Sequence, residues 1–309
     1  MTNHEMWRNN YRVKRYMKYL SKDELEQRAK DIFTNLIVLQ ADEKIGLRPI
    51  NNVGVYWMVI FTELLEEFRL RYGNYPNGFE SGFIKEANIP NPKDVNKTKK
   101  AIDEIGGIKE KSIYKYGKLI HMKDMIEYGK IRVSPASSYN DSSLSPAIYD
   151  DELNFEISRL SEEITLWNET KNCEIKPLGS IKCKSSLNTN YYVQCFSTAY
   201  SFREFSDFEY DACVVILDIA RFIELVENEV KKQIQNYIFI PQAVEYIDPL
   251  KPHKKPDVFF SKHFRYTYQN EFRFIWVPEV PVMELEPFFI EIGNMHEYAK
   301  LVFLKDSNA

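Results

Sequence analysis

A change of residue pattern at the glycine pair Gly106-Gly107 constrains the fold more than any other feature. Before this pair, apolar side chains recur every three or four positions, as they do on one face of a helix. After it, short runs rich in β-branched and aromatic residues alternate with turn residues. This order predicts an α+β protein, with a helical N-terminal region in residues 1–110 and a mixed, mainly antiparallel β-sheet core in residues 111–309.

Local signals place the N-terminal helices. Ser21 and Glu24 have the spacing of a capping box and precede an apolar-periodic stretch. Residues 55–72 are strongly apolar on one side and stop at Gly73. A charged third helix is predicted for residues 94–105, ahead of the glycine pair.

The second region reads as strands with few helices between them. The predicted strands are residues 112–116, 130–134, 191–197, 212–218, 237–247, 271–276, 288–292 and 301–304. Helices are predicted for residues 118–128, 150–167 and 219–230, and a long polar loop for residues 168–189. The helix over residues 150–167 rests on the spacing of Leu153, Ile157, Leu160 and Ile164.

Composition limits the classes of protein to consider. The formal net charge is −4, so overall charge gives no argument for binding to nucleic acid or a membrane. No apolar run reaches the roughly 18 residues of a membrane span, and no secretory signal is seen, so we expect a cytoplasmic protein without membrane contact. The four cysteines form no CxxC pair, and the histidines lack metal-ligand spacing, so no metal site is expected.

Two of three short segments with chemical potential lie early in the sheet region. The first runs from Tyr114-Lys115-Tyr116 to residues 139–141 (Tyr-Asn-Asp), and by itself it fits an ordinary strand-helix-strand unit. The second is residues 193–198, where the hydroxyl of Ser197 at a strand end could orient a neighbouring carboxylate. Cys195 in this segment has no nearby basic residue to activate it and reads as a small buried side chain.

The third segment is residues 266–276. Gln269, Glu271 and Arg273 are spaced by two, which places them on the same face of a predicted strand, with Phe272 and its aromatic neighbours on the other. The simpler interpretation is a half-exposed strand with a surface pairing between Arg273 and Glu271.

In this order, the three segments resemble the ADP-ribosyltransferase superfamily. That superfamily has a basic residue or His on a first strand, a strand bearing Ser and Thr, and a late strand with a Gln/Glu-x-Glu motif. The corresponding segments here are residues 114–116, 196–198 and 269–271, with Lys115 where Arg or His is usual. Residues 114–116, 139–141, 195–197 and 271–273 also resemble an uncharacterised bacterial family linked to anti-phage defence.

The resemblance implies a sheet core of ADP-ribosyltransferase type and an enzyme that uses NAD as substrate. It assigns catalysis to Glu271, Ser197 and Gln269, with Glu271 stabilising positive charge on the ribose and Gln269 facing the acceptor. It assigns NAD binding to Lys115, Tyr116, Tyr114, Phe196, Thr198 and Asn140, and Phe202 is a further candidate wall for nicotinamide. The implied acceptor is nucleic acid, RNA more than DNA, or protein, and an antitoxin or regulatory partner is conceivable for such a toxin or defence effector.

Two other functions stay open. One is a non-enzymatic sensor or interaction protein, whose helical region binds a partner. The other is a nuclease, for which Asp207, Glu209 and Asp211 alternate as on one strand edge. The basic and aromatic residues of positions 7–19 could contact phosphates and bases, or form a solvated amphipathic helix.

Overall fold

A computed structural model describes residues 2–39, 44–49, 51–73, 99, 102–106 and 111–304. The helices whose bounds lie within the described residues are α1 (Asn3–Val13), α2 (Lys22–Leu36), α3 (Asn52–Tyr72), α4 (Leu119–Tyr128), α5 (Arg203–Asp207) and α6 (Ile219–Gln233). The first eight strands are β1 (Ile37–Leu39), β2 (Ile45–Leu47), β3 (Ile113–Gly117), β4 (Lys130–Pro135), β5 (Asn154–Arg159), β6 (Leu166–Asn168), β7 (Cys173–Ile175) and β8 (Ile181–Ser186). The other eight are β9 (Tyr192–Ser197), β10 (Ala212–Ile216), β11 (Tyr237–Ala243), β12 (Glu245–Ile247), β13 (Ser261–His263), β14 (Glu271–Pro278), β15 (Phe288–Glu291) and β16 (Ala299–Phe303).

The main sheet confirms a mixed, mainly antiparallel α+β protein. Its strands follow the order β11-β14-β9-β3-β10-β16, and neighbouring strands pair antiparallel. The three strands that carry the motifs, β3, β9 and β14, are direct neighbours although they are far apart in the chain. Aromatic side chains from β9 and β14, including Phe196, Phe274 and Trp276, pack into the largest core cluster together with α6.

The sheet forks at β9. The C-terminal end of β9 pairs with β3 through the single register pair Ser197–Tyr114. Its N-terminal end pairs instead with β4, through Val193 and Tyr192. Strands β3 and β4 therefore diverge from a common neighbour and leave an opening between them.

The N-terminal helices pack against the sheet region and do not stand apart from it. Leu160 and Phe264 join the core cluster formed by α1, α2 and α3, and Phe264 stacks on Trp57 with ring centroids 5.7 Å apart. Beside this contact, the buried guanidinium of Arg28 on α2 donates to both carboxylate oxygens of Asp248, at 2.9 and 2.5 Å.

The basic and aromatic stretch near the N-terminus is used inside the protein. Arg12 donates to Glu66 at 2.6 Å, and Arg15 forms an ion pair with Glu67 at 2.9 Å. Tyr11 donates to the same Glu67 carboxylate, whose side chain is buried on α3. These contacts neutralise the stretch, so it does not offer a free cationic surface to nucleic acid.

Two secondary-structure predictions are wrong. Residues 150–167 form strand β5, a short 3₁₀ turn and the start of strand β6, because Phe155 and Ile157 are buried on either side of the exposed Glu156 and β5 pairs with β8. Residues 168–189 contain β7 and β8 and so are not one long loop. Of the helix predicted for residues 94–105, residues 99 and 102–104 are helical and residue 105 lies in a turn, while residues 94–98, 100 and 101 lie outside the described residues. In the described part of the chain, no helix is both long and apolar enough to cross a membrane.

The Arg28–Asp248 pair gives a stability prediction. Arg28→Ala should lower the free energy of unfolding by about 3–5 kcal/mol, because it leaves a buried carboxylate without its partner. Lys22→Ala is the matched control, since Lys22 pairs with Glu26 at 3.7 Å on the surface of the same helix, and it should cost less than about 0.5 kcal/mol. Urea denaturation measures both values, and equal effects of the two changes would contradict the assignment.

Candidate functional site

A small cavity of about 120 Å³ opens where the sheet forks. Its lining comes from the three motif strands, the turn before β14, helix α5 and the segment between β4 and β5. The lining residues are Tyr114, Lys115, Tyr116, Tyr139, Ala147, Ile148, Glu152, Cys195, Phe196, Ser197, Glu204, Phe208, Tyr210, Lys262, Gln269 and Glu271.

The carboxylate of Glu271 lies in a buried cluster of charges beside the cavity. Lys262 Nζ is 2.6 Å from one of its oxygens, and Arg273 Nε is 2.6 Å from the other. Arg273 also pairs with Glu152 at 2.6 Å. Two carboxylates and two cations thus balance formally, with Asp150 at 3.8 Å from Lys262 as a further anion. The cluster replaces the surface pairing of Arg273 with Glu271 that the simpler sequence interpretation gave.

The two glutamates of this cluster titrate differently. Burial opposes ionisation of Glu271, but attraction to Arg273 and Lys262 outweighs it and holds the pKa of Glu271 well below its usual range. Burial dominates at Glu152 and raises its pKa to about 7 despite attraction to Arg273. Around neutral pH, Glu271 is therefore the ionised carboxylate and Glu152 is partly protonated.

Ser197 lies opposite Glu271 in the register of β9 and β14. Its hydroxyl oxygen lies 2.8 Å from the backbone carbonyl oxygens of both Gln269 and Ala199, so its one proton is shared between them and ties β9 to the chain that leads into β14. It was predicted to hold the Glu271 carboxylate itself, and this is wrong, because Lys262 and Arg273 take that role.

Gln269 faces the cavity from a different element than expected. It ends a 3₁₀ turn, Phe264–Gln269, and Asn270 then adopts a left-handed conformation (φ 46°) before β14 begins at Glu271. Gln269 and Glu271 are therefore not on one strand, although both line the cavity. The side-chain amide of Gln269 donates to the Ala147 carbonyl at 2.8 Å.

Lys115 sits at the fork with its ammonium turned towards β9. Its Nζ donates to the Cys195 carbonyl at 2.8 Å and lies 5.5 Å from the centroid of the Phe196 ring. Burial lowers the pKa of Lys115, and Glu271 opposes that shift. Burial also raises the pKa of the Cys195 thiol, which agrees with an unreactive side chain.

Three predicted contacts fall outside the cavity lining. Thr198 is exposed and donates from its hydroxyl to the Asn270 carbonyl at 3.0 Å. Asn140 follows the 3₁₀ turn Ala136–Tyr139, and its neighbour Tyr139 reaches the cavity instead. Phe202 packs edge-on against Tyr200, away from the lining.

A basic groove of about 720 Å³ adjoins the cavity and shares Lys115, Tyr116, Tyr139 and Tyr210 with it. The groove occupies the gap between β3 and β4. Its other charged or titratable lining residues are Lys118, His121, Asp124, Lys130 and Arg132. The lining of the groove therefore contains four cationic side chains, Lys115 included, and one carboxylate. A surface with this excess of positive charge attracts anionic ligands.

Helix α2 supports the cavity wall from behind. The buried side chain of Asn35 accepts from the Tyr268 N–H at 3.0 Å and donates to the Arg265 carbonyl at 2.7 Å, so it fixes the turn that carries Gln269. Arg203 on α5 donates to the Thr34 carbonyl near the end of α2. The N-terminal region thereby contacts two elements that line the site.

The sequence interpretation missed three charged lining residues, Glu152, Lys262 and Glu204. Glu152 lay in a segment predicted as helix. Lys262 ends the basic stretch of residues 251–262, a pattern that is typical of an exposed loop. Both are buried, and only the tertiary fold brings them to Glu271. No local signal marked Glu204, which lies on the five-residue helix α5.

The acids weighed for a nuclease do not share a strand. Asp207 ends α5, Glu209 has a left-handed backbone (φ 53°), and Asp211 accepts from the Leu119 N–H. Among the described residues, no group of three or more His, Cys, Asp or Glu side chains could hold a metal ion.

Comparison with known proteins adds no relative. The chain matches no protein-family model, no curated protein and no solved structure.

Titration of Glu152 gives a pH prediction. Its raised pKa means that the folded protein binds more protons than the unfolded chain between about pH 4.3 and 7, so stability from this group is lost as the pH rises through that window. The free energy of unfolding should fall in wild type relative to Glu152→Gln, by at most about 1.4 kcal/mol per pH unit. Denaturation series at pH 5, 6 and 7 measure the difference, and parallel curves would contradict it.

Proposed function

We propose that the protein is an NAD-dependent ADP-ribosyltransferase whose sheet core is of the ADP-ribosyltransferase type. One observation carries the proposal: the three motif segments, far apart in sequence, line a single cavity with Glu271, Ser197 and Lys115 in its walls. The resemblance required this convergence, and independent short motifs in an unrelated fold would have no reason to meet.

The charge state of Glu271 fits the reaction. Cleavage of the bond between nicotinamide and ribose develops positive charge on the sugar, and a fixed, ionised carboxylate stabilises that charge. Lys262 and Arg273 keep Glu271 ionised and hold it in one orientation, so no reorganisation is needed when charge develops. Lys262 and Arg273 also cancel part of the negative potential of Glu271, so its carboxylate stabilises positive charge on the ribose only at short range.

The dimensions of the site fit NAD in two parts. The cavity is on the scale of one aromatic ring, because a cavity of roughly 150 Å³ accommodates benzene. Tyr114, Tyr116 and Phe196 supply an aromatic lining for the nicotinamide ring. The pyrophosphate and adenosine would then extend into the adjoining groove, towards Lys118 and Arg132.

The lining of the same groove is the basis for the proposed acceptor. Its cationic lining favours a polyanion over a neutral protein surface, and Gln269 at the cavity is the proposed contact to it. The choice of RNA over DNA rests on the resemblance alone. A cytoplasmic toxin or anti-phage effector of this kind would need an antitoxin or regulatory partner to hold it silent.

A binding protein without turnover is the second candidate. The observation that favours it is the engagement of both Glu271 oxygens by cations, which also describes a purely structural ion cluster. Such a protein would hold NAD or a related nucleotide as a signal.

Release of free nicotinamide from NAD distinguishes the two functions. Wild type should release nicotinamide in the presence of RNA, and Glu271→Gln should reduce the rate on the order of 10²–10³-fold, because the substitution removes the negative charge while keeping the shape. Glutamine is chosen over alanine because it keeps the volume and one oxygen that can accept from Lys262 or Arg273, whereas alanine would leave both cations without an acceptor.

Glu245→Gln is the matched control, since Glu245 pairs with His253 at 2.7 Å outside the cavity, and it should keep the wild-type rate. Binding of NAD without release would favour the binding protein. If the protein neither binds NAD nor releases nicotinamide, with RNA or with protein acceptors present, both candidates are contradicted.

A further inference from the structure

A buried carboxyl oxygen in the cavity wall has no partner. Glu204 is 2% exposed and lines the cavity, yet its Oε1 has no hydrogen-bond partner among the described residues. An unpaired polar atom in a protein interior costs free energy, so natural folds seldom keep one without a use. Because Glu204 is one of the residues that line the cavity, a ligand held there is the candidate for the missing bond.

The surroundings of Glu204 set its chemical form. Burial first, and then repulsion from Asp207, raise the pKa of Glu204 well above its ordinary value, while Arg203 and Lys262 oppose the shift. A neutral carboxyl group offers an O–H donor and a carbonyl acceptor side by side. A primary carboxamide presents the complementary acceptor and donor with the same spacing.

We infer that Glu204 recognises a primary carboxamide on a flat ring that enters the cavity, and that it determines specificity for such ligands. The inference rests on the proposed function for the choice of ring, since the carboxamide would be that of nicotinamide. Departure of nicotinamide from NAD gives a neutral molecule and needs no proton, so the reaction leaves Glu204 a role in recognition and not in acid catalysis.

The walls agree with this ligand class. Tyr116 lies between the rings of Phe205 and Tyr200, at centroid distances of 5.2 and 6.3 Å, so it is held in place as a cavity wall. Phe208 and Tyr210 stack with an interplanar angle of 9° on another side of the lining. Flat aromatic walls and one neutral donor–acceptor group together describe a site for an aromatic amide.

Two substitutions separate recognition from structure. Glu204→Gln keeps a donor and an acceptor at the same place, whereas Glu204→Leu removes both and fills a similar volume. Because Leu also removes a buried unpaired oxygen, it should leave the thermal stability equal or higher. The ligands are nicotinamide and benzamide, with nicotinic acid as a control that has the same ring but lacks the amide donor.

Calorimetric or NMR titration should show that wild type and Glu204→Gln bind both amides with similar affinity. Glu204→Leu should weaken both by about tenfold or more, and nicotinic acid should bind wild type more weakly than nicotinamide. Equal binding of the amides to wild type and Glu204→Leu would overturn the inference, as would failure of both amides to bind wild type.

The two proposals fail separately. Amide binding that depends on Glu204, without any release of nicotinamide from NAD, would contradict the transferase and leave the recognition role standing. Conversely, NAD turnover whose KM and inhibition by nicotinamide are the same in wild type and Glu204→Leu would support the transferase and refute the role of Glu204.

Discussion

The buried ion cluster of Glu152, Lys262, Glu271 and Arg273 is the interaction on which the site depends. It joins the segment before β5, strand β13 and strand β14 through contacts of 2.6 Å. Moving these charges out of water is costly, and each is tolerated only because the others are in place. The cluster therefore fixes the path of the chain around the cavity, and any change to one member alters the other three.

The strands of the main sheet could be predicted because each carries its own signal. Alternation of buried and exposed residues, or a continuous apolar run, marks β4, β9 and β10 without reference to other parts of the chain. The helix prediction for residues 150–167 was wrong for a physical reason. Leu153, Ile157 and Leu160 have helical spacing, but Phe155 and Ile157 also have the two-residue spacing of a strand. Pairing of β5 with β8 decides between the two patterns, and local sequence does not contain that partner.

The same distinction applies to the candidate site. The order and strand context of the motifs led to Glu271, Ser197 and Lys115, which the structure brings to one cavity. The backbone conformation before β14 was missed. The spacing of two residues placed Gln269 on the same strand as Glu271, but Asn270 between them has a left-handed conformation and the strand begins after it. Lys262 and Glu204 were missed because their importance comes from burial beside distant residues, which no spacing rule reports.

The support that α2 gives to the cavity wall has a mechanical consequence. Asn35 and the Thr34 carbonyl hold the 3₁₀ turn and α5, and these carry Gln269 and Glu204. A partner that bound α2 would therefore touch a helix that is hydrogen-bonded to two walls of a pocket which the partner itself does not enter. Removal of the N-terminal helices would leave the turn and α5 without these hydrogen bonds.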